Sequence, residues 1–167
     1  MRPTCSFETG FEKRLGFARI LSAGKDFAES DIDQKRGAVA TLAIGSDESG
    51  LIEAVKRGAK AVVISDLTIG KKLIETMKAN GTVLCLPMSM ITETYGDRRV
   101  RNTYKMSKLF AYAKKQGLEV SVVSMAASKE SMCSYMQLIQ LARLIGAEER
   151  YARYSLSEVN RIFGRGS

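Results

Sequence analysis

The chain has 167 residues, 45% of them hydrophobic, enough for one globular domain spanning 1–167 that buries roughly 70% of its unfolded surface. Twenty-six Lys and Arg oppose eighteen Asp and Glu, for a net charge of +8, and histidine is absent. That absence excludes Ser-His and Cys-His nucleophile pairs, HExxH zinc sites and His-rich metal centres, leaving carboxylate-held magnesium, lysine chemistry, or the polyanion binding that so basic a chain suggests.

Phe7 to Leu15 reads as a helix and Phe17 to Ser22 as a short strand. Asp26, Glu29, Asp31 and Asp33 mark a polar stretch that predicts a solvated loop. Val39 to Ile44 is a second strand, and Leu51, Ile52 and Val55 give the inner face of a short helix closed by Gly58. Ala61 to Ser65 is a third strand. Leu73, Ile74 and Met77 face inward on the next helix, with Lys71, Lys72, Glu75 and Lys78 outward and Asn80-Gly81 stopping it. Val83 to Pro87 is a nearly continuous apolar strand, as in a parallel sheet covered on both faces or a barrel ringed by helices.

After a loop from Ser89 to Asp97, the pattern predicts a long helix from Arg98 to Gln116, stopped by Gly117, and then a strand from Leu118 to Ser124. Met132 to Ile145 is apolar nearly all round, which predicts a helix covered on two sides. Tyr151 to Tyr154 is read as an extended piece, a possible sixth strand. Ser155 and Glu158 match a capping box opening a last helix with Leu156, Val159, Ile162 and Phe163 inward. Alternating strand and helix units predict an α/β fold with a mostly parallel sheet. Six strands fall short of the eight in the usual barrel of about 250 residues. A small or incomplete barrel is therefore expected, with an open three-layer sheet as the alternative.

No apolar run approaches the ~20 residues that span a bilayer, and Met1 to Gly10 lacks a basic-then-apolar signal pattern, so an intracellular, cytoplasmic protein is expected. Cys5, Cys85 and Cys133 are isolated and show no CxxC spacing, which points to neither disulfides nor a zinc site.

The loops after the strands carry Ser22, Lys25, Ser46, Asp47, Glu48, Ser65, Asp66, Ser89 and Ser124. Asp47, Glu48 and Asp66 offer a magnesium site for a small metal-dependent enzyme acting on a phosphorylated metabolite. The same residues are also ordinary caps of the helices that follow. No GxGxxG or GxxxxGK[ST] loop is present, and no catalytic residue is assigned.

The stronger signal is basic. Arg101, Lys105, Lys108, Tyr112 and Lys115 fall within an arc of roughly 80° on the long helix, with Arg98 close beside and Met106, Leu109, Phe110 and Ala113 on the adjoining arc. A run of like charge on one face costs stability by self-repulsion, so a phosphate-rich partner is suspected, the alternative being a face that only confers solubility. Arg98, Arg99, Arg101, Lys105, Lys108 and Lys115 are the candidate RNA-binding residues. The sparse tyrosines and absent Trp do not predict a base-stacking surface, which favours phosphate contact and recognition of RNA shape.

From TVLCLPMSMI through the basic helix ending in KLFAYAKKQGLEVSVVSMAAS, then QLIQLARLIGA and SLSEVNRIF, the order of features resembles the archaeal ribonuclease P protein component three family, relatives of the eukaryotic thirty-kilodalton subunit. The likeness runs from residue 82 to 163. The family's usual Arg-Ser-Pro-like element is replaced by Met132, Cys133, Ser134 and Tyr135. The resemblance implies an incomplete TIM-barrel-like fold and a noncatalytic subunit that stabilises the ribonuclease P RNA for precursor tRNA leader cleavage. It implies a second protein component as partner in a heterodimer or heterotetramer, precursor tRNA within the complex, no cofactor bound by the protein, and magnesium serving the RNA-catalysed reaction. The apolar helix Met132 to Ile145 and the helix from Ser155 are the candidate protein-partner surfaces.

Overall fold

The computed structural model describes residues 29–31, 42–128 and 130–163, with the backbone alone at 29–31 and 158–163. The helix read at Phe7 to Leu15, the strand at Phe17 to Ser22, and Cys5, Lys25, Asp26 and Asp33 lie outside the described residues. In chain order the elements are β1 (Glu29–Asp31), β2 (Leu42–Gly45), α1 (Glu48–Lys56), β3 (Ala61–Ile64), α2 (Lys71–Asn80) and β4 (Val83–Pro87). There follow α3 (Ser89–Thr92), α4 (Gly96–Lys115), β5 (Val120–Val123), α5 (Tyr135–Leu144) and α6 (Glu149–Phe163).

The strands form one sheet in the order β1-β2-β3-β4-β5, every pair parallel. Right-handed crossovers that never reverse direction place all their helices on the same face of the sheet. An open doubly wound sheet reverses its order midway so that both faces are covered. This sheet does not reverse, so it is an arc of a TIM-barrel-like fold, incomplete among the described residues, and the open three-layer alternative is set aside.

The two faces follow the period-2 alternation of the strands. Val62, Ile64, Leu84, Leu86, Val120 and Val122 turn toward the helices and merge with Leu51, Leu73, Met77, Met106 and Ile139 in the main core. Leu42, Ala61, Val63 and Cys85, with Ile44 and Val123 against them, make a smaller cluster on the opposite face, the inside of the arc. Cys85 is fully buried there, and loss of solvation pushes its thiol from 9.0 up to about 12. It is therefore expected to resist a thiol reagent at pH 8 until the protein is unfolded; rapid labelling of native Cys85, mapped by mass spectrometry, contradicts this. Below pH 9.0 the thiol is protonated in both folded and unfolded chains. As pH rises above that value only the unfolded chain ionises, so this residue's contribution to stability declines toward pH 12.

Glu29–Asp31, expected within a solvated loop, instead forms a strand, the outermost among the described residues, that pairs with Leu42, Ala43 and Ile44. The expected loop from Ser89 to Asp97 also contains structure, since α3 fills its first half. Asn102 Nδ2 donates to Met90 O at 2.7 Å, and Arg99 Nε donates to Thr94 O at 2.7 Å. These two bonds fasten the start of α4 to the α3 turn, where Gly96 adopts φ +53°, a conformation that disfavours a side chain.

Two C-terminal expectations are corrected. Tyr151 to Tyr154 is not a strand, and Ser155 does not open a helix: both lie inside the continuous helix α6. The cause is the edge of β5, whose Val120 backbone groups point away from β4. Val120 N donates to the Tyr151 hydroxyl at 3.2 Å, and that hydroxyl donates to Val120 O at 3.0 Å, so one side chain occupies the place of a sixth strand. Ser121 Oγ, fully buried, donates to Ser155 O at 2.6 Å and secures the next turn. The capping box lies earlier: Ser134 caps α5 by exchanging bonds with Gln137. As its apolar pattern predicts, α5 is covered on two sides, by α6 and by β5, while Met136 and Leu144 remain 51% and 60% exposed. Among the described residues, no helix is long and apolar enough to cross a membrane.

Candidate nucleic-acid interface

α4 is a 20-residue helix that buries Met106, Leu109, Phe110 and Ala113 against the sheet, as the 3.6-residue period requires. The adjoining arc carries Arg98, Arg101, Lys105, Lys108 and Lys115, all exposed. Among the described residues, Arg98, Arg101, Lys105 and Lys115 form no ion pair and no side-chain hydrogen bond. Lys108 has only a ring for company, its ammonium lying 5.5 Å from the centre of Tyr104.

The distribution along the helix is as informative as the count. Lys114 and Lys115 stand in the last turn, where cations favour the helix dipole, and so need no ligand to explain them. Arg98 and Arg99 stand at the N-terminal end, where cations oppose it and Asp97 is the acid of the first turn. A cation so placed costs about 0.3–1 kcal/mol in the free helix, and an anion bound there offsets that cost.

The six candidate residues therefore divide. Arg98, Arg101, Lys105 and Lys108 form a continuous stripe, and Lys115 extends it at the far end. Arg99 lies about 160° around the helix from Arg101. Its guanidinium is occupied with Thr94 O and stands 5.2 Å from the centre of the Tyr95 ring. Its position makes it a fastener of the α3–α4 turn.

Other basic groups are taken up by the fold. Lys78 Nζ donates to Gln116 O at 2.8 Å, capping the end of α4. Lys114 Nζ stands 3.7 Å over the Tyr151 ring. Arg153 donates twice to Glu149, and Arg143 approaches the same carboxylate at 3.9 Å. The hydrogen bond and charge of Arg153 hold the Glu149 carboxyl below its usual range.

The rim of the arc at the strands' carboxyl ends, where barrels of this type carry their chemistry, shows local structural roles. Asp47 caps α1 by accepting from Ser49 N at 3.1 Å. Asp66 accepts from Thr68 N at 3.1 Å in a tight turn. The Glu48 carboxylate lies against Gly70, where a Cβ would overlap it, and so supplies an acid to the start of α2, which has none of its own. Among the described residues, no three His, Cys, Asp or Glu are grouped so as to hold a metal ion.

The fold and its exposed stripe thus define a TIM-barrel-like α/β protein with an uncompensated cationic helix. No family model and no curated protein matches the chain. Solved structures do resemble it. A Xaa-Pro dipeptidase with methionine bound in its active site aligns with a TM-score of 0.54 and 12% identity, over 74% of this chain and 33% of that one. The A. niger ochratoxinase aligns with a TM-score of 0.53 and 15% identity, over 72% of this chain and 30% of that one. The chain spans about a third of the length of these structures, and at such identity the likeness concerns the fold alone.

Proposed function

We propose that this chain is a noncatalytic RNA-binding subunit of ribonuclease P that works in the cytoplasm. It would stabilise the catalytic RNA during precursor tRNA leader cleavage, beside a second protein component. The observation that carries the reading is the stripe of Arg98, Arg101, Lys105 and Lys108, exposed and unpaired with acids, with Arg98 set against the helix dipole. Its place within the C-terminal half, where the chain resembles the ribonuclease P protein family, supplies the identity of the polyanion. The cations would neutralise phosphates along the RNA backbone, while magnesium serves the RNA that performs the cleavage. The apolar side chains Met136 and Leu144, exposed on α5, are the surface offered to the protein partner.

The test is affinity capture of the full chain from cells under mild salt, with sequencing of bound RNA and identification of copurifying proteins. Ribonuclease P RNA enriched over total RNA, together with a second protein component, is the expected result. An RNA-free eluate, or RNA bound in proportion to its abundance, overturns the reading.

A further inference from the structure

Three of the six tyrosines stand in solvent on or beside α4, a distribution that phosphate neutralisation does not explain. Tyr95 is 79%, Tyr104 63% and Tyr112 38% exposed. The other tyrosines that contact α4 or β5 have structural work: the Tyr151 hydroxyl seals Val120, and Tyr154 donates to Glu119 at 3.1 Å. Among the described residues, the hydroxyls of Tyr95, Tyr104 and Tyr112 have no partner. Exposing such rings forgoes the area that an aromatic side chain ordinarily buries.

Tyr104 and Tyr112 are eight positions apart, which sets them about 12 Å apart along the axis and about 80° apart around it. Lys105 and Lys108 lie between them. The separation far exceeds the ~3.4 Å rise between neighbouring stacked nucleotides, so the two rings cannot serve consecutive stacked bases. They suit bases separated by at least one nucleotide in an extended strand, whose intervening phosphates meet the lysines.

We infer that Tyr104 and Tyr112 are stacking sites for unpaired bases, so that the α4 face takes a single-stranded segment of RNA in preference to a duplex. In a duplex the base faces are covered by their neighbours, and a tyrosine on a helix surface meets only sugar and phosphate. In a single strand every base offers a π-face, and a ring amid cations gains both stacking and charge contacts. This inference rests on the RNA-binding reading and specifies which form of RNA the stripe takes.

The experiment titrates the full chain against a fluorescein-labelled 12-nucleotide mixed-sequence RNA, alone and annealed to its complement, over a range of KCl. Three variants are compared with the unaltered protein: Tyr104→Ala with Tyr112→Ala, Tyr104→Phe with Tyr112→Phe, and Lys105→Gln with Lys108→Gln. The alanine pair is expected to lose roughly 5- to 150-fold per ring on the single strand, with the salt slope unchanged and duplex affinity nearly unaltered. The phenylalanine pair keeps its rings and retains binding, while the glutamine pair reduces the salt slope on both RNAs. Equal losses on single strand and duplex, or no loss with alanine while glutamine still weakens binding, overturn the stacking inference and leave the RNA reading intact. If neither set changes binding, both readings fall.

Discussion

Reversal of Arg101, Lys105 and Lys108 to Glu is expected to weaken RNA binding by at least about 50-fold at 0.15 M salt and to lower the salt slope by roughly 2 to 3. Each phosphate contact releases condensed counterions and contributes 0.7 to 0.9 to that slope, so three lost contacts set the lower bound. The protein should remain folded, because all three side chains are exposed and Glu has a helix propensity close to those of Arg and Lys. Replacement by Gln makes a complementary test. It removes the like-charge pairs Arg98–Arg101, Arg101–Lys105 and Lys105–Lys108, each costing about 0.2–0.5 kcal/mol in a free helix. Gln at these three positions should therefore raise stability by about 1 kcal/mol in urea titrations while binding weakens. A Glu triple variant that binds RNA with unaltered affinity and slope would remove the stripe from the interface.

Tyr151→Ala should cost about 3 kcal/mol, because it deletes a packed aromatic ring and uncovers the edge of β5. The ring meets Phe110 edge-on with centres 5.8 Å apart and carries Lys114 on one side. Its hydroxyl satisfies both the N–H and the carbonyl of Val120. Tyr151→Phe isolates that last contribution and is expected to cost about 1–2 kcal/mol. Urea midpoints measure both effects. The alanine variant should also self-associate, detectable by light scattering, because the unpaired groups of a parallel edge recruit strands from other molecules. If Tyr151→Phe matches the unaltered protein in midpoint, the hydroxyl does not seal the sheet.

The helices and buried strands were readable because their signals are local. Leu73, Ile74 and Met77 are all buried on α2, and Met106, Leu109, Phe110 and Ala113 on α4, as their spacing predicts. The cationic stripe followed from the same angular reckoning. Ser134 and Gln137 also carried a readable signal, the S-x-x-Q form of the capping box, but the apolar pattern beginning at Met132 obscured it. Ser155 and Glu158 carried an equally good one that the fold does not use, since Ser155 is buried within α6 and its hydroxyl turns back to Ala152 O. Local chemistry proposed both caps, and contacts with β5 selected between them.

Dihedral preference and side-chain periodicity act over about four residues. They were enough to establish the strand and helix alternation, the inward faces of α1, α2 and α4, and the one-sided charge on α4. Strand order, the seal on β5 and the exposure of individual tyrosines depend on residues far apart in the chain. Tyr151 is tied to Val120, 31 positions away, whereas Tyr104, with a similar local setting, is 63% exposed with Lys108 beside its ring. Arg99 and Arg101 are near neighbours in the chain, yet one fastens a turn and the other faces solvent. Packing made these distinctions, because burial and hydrogen-bond satisfaction depend on what approaches from elsewhere in the fold.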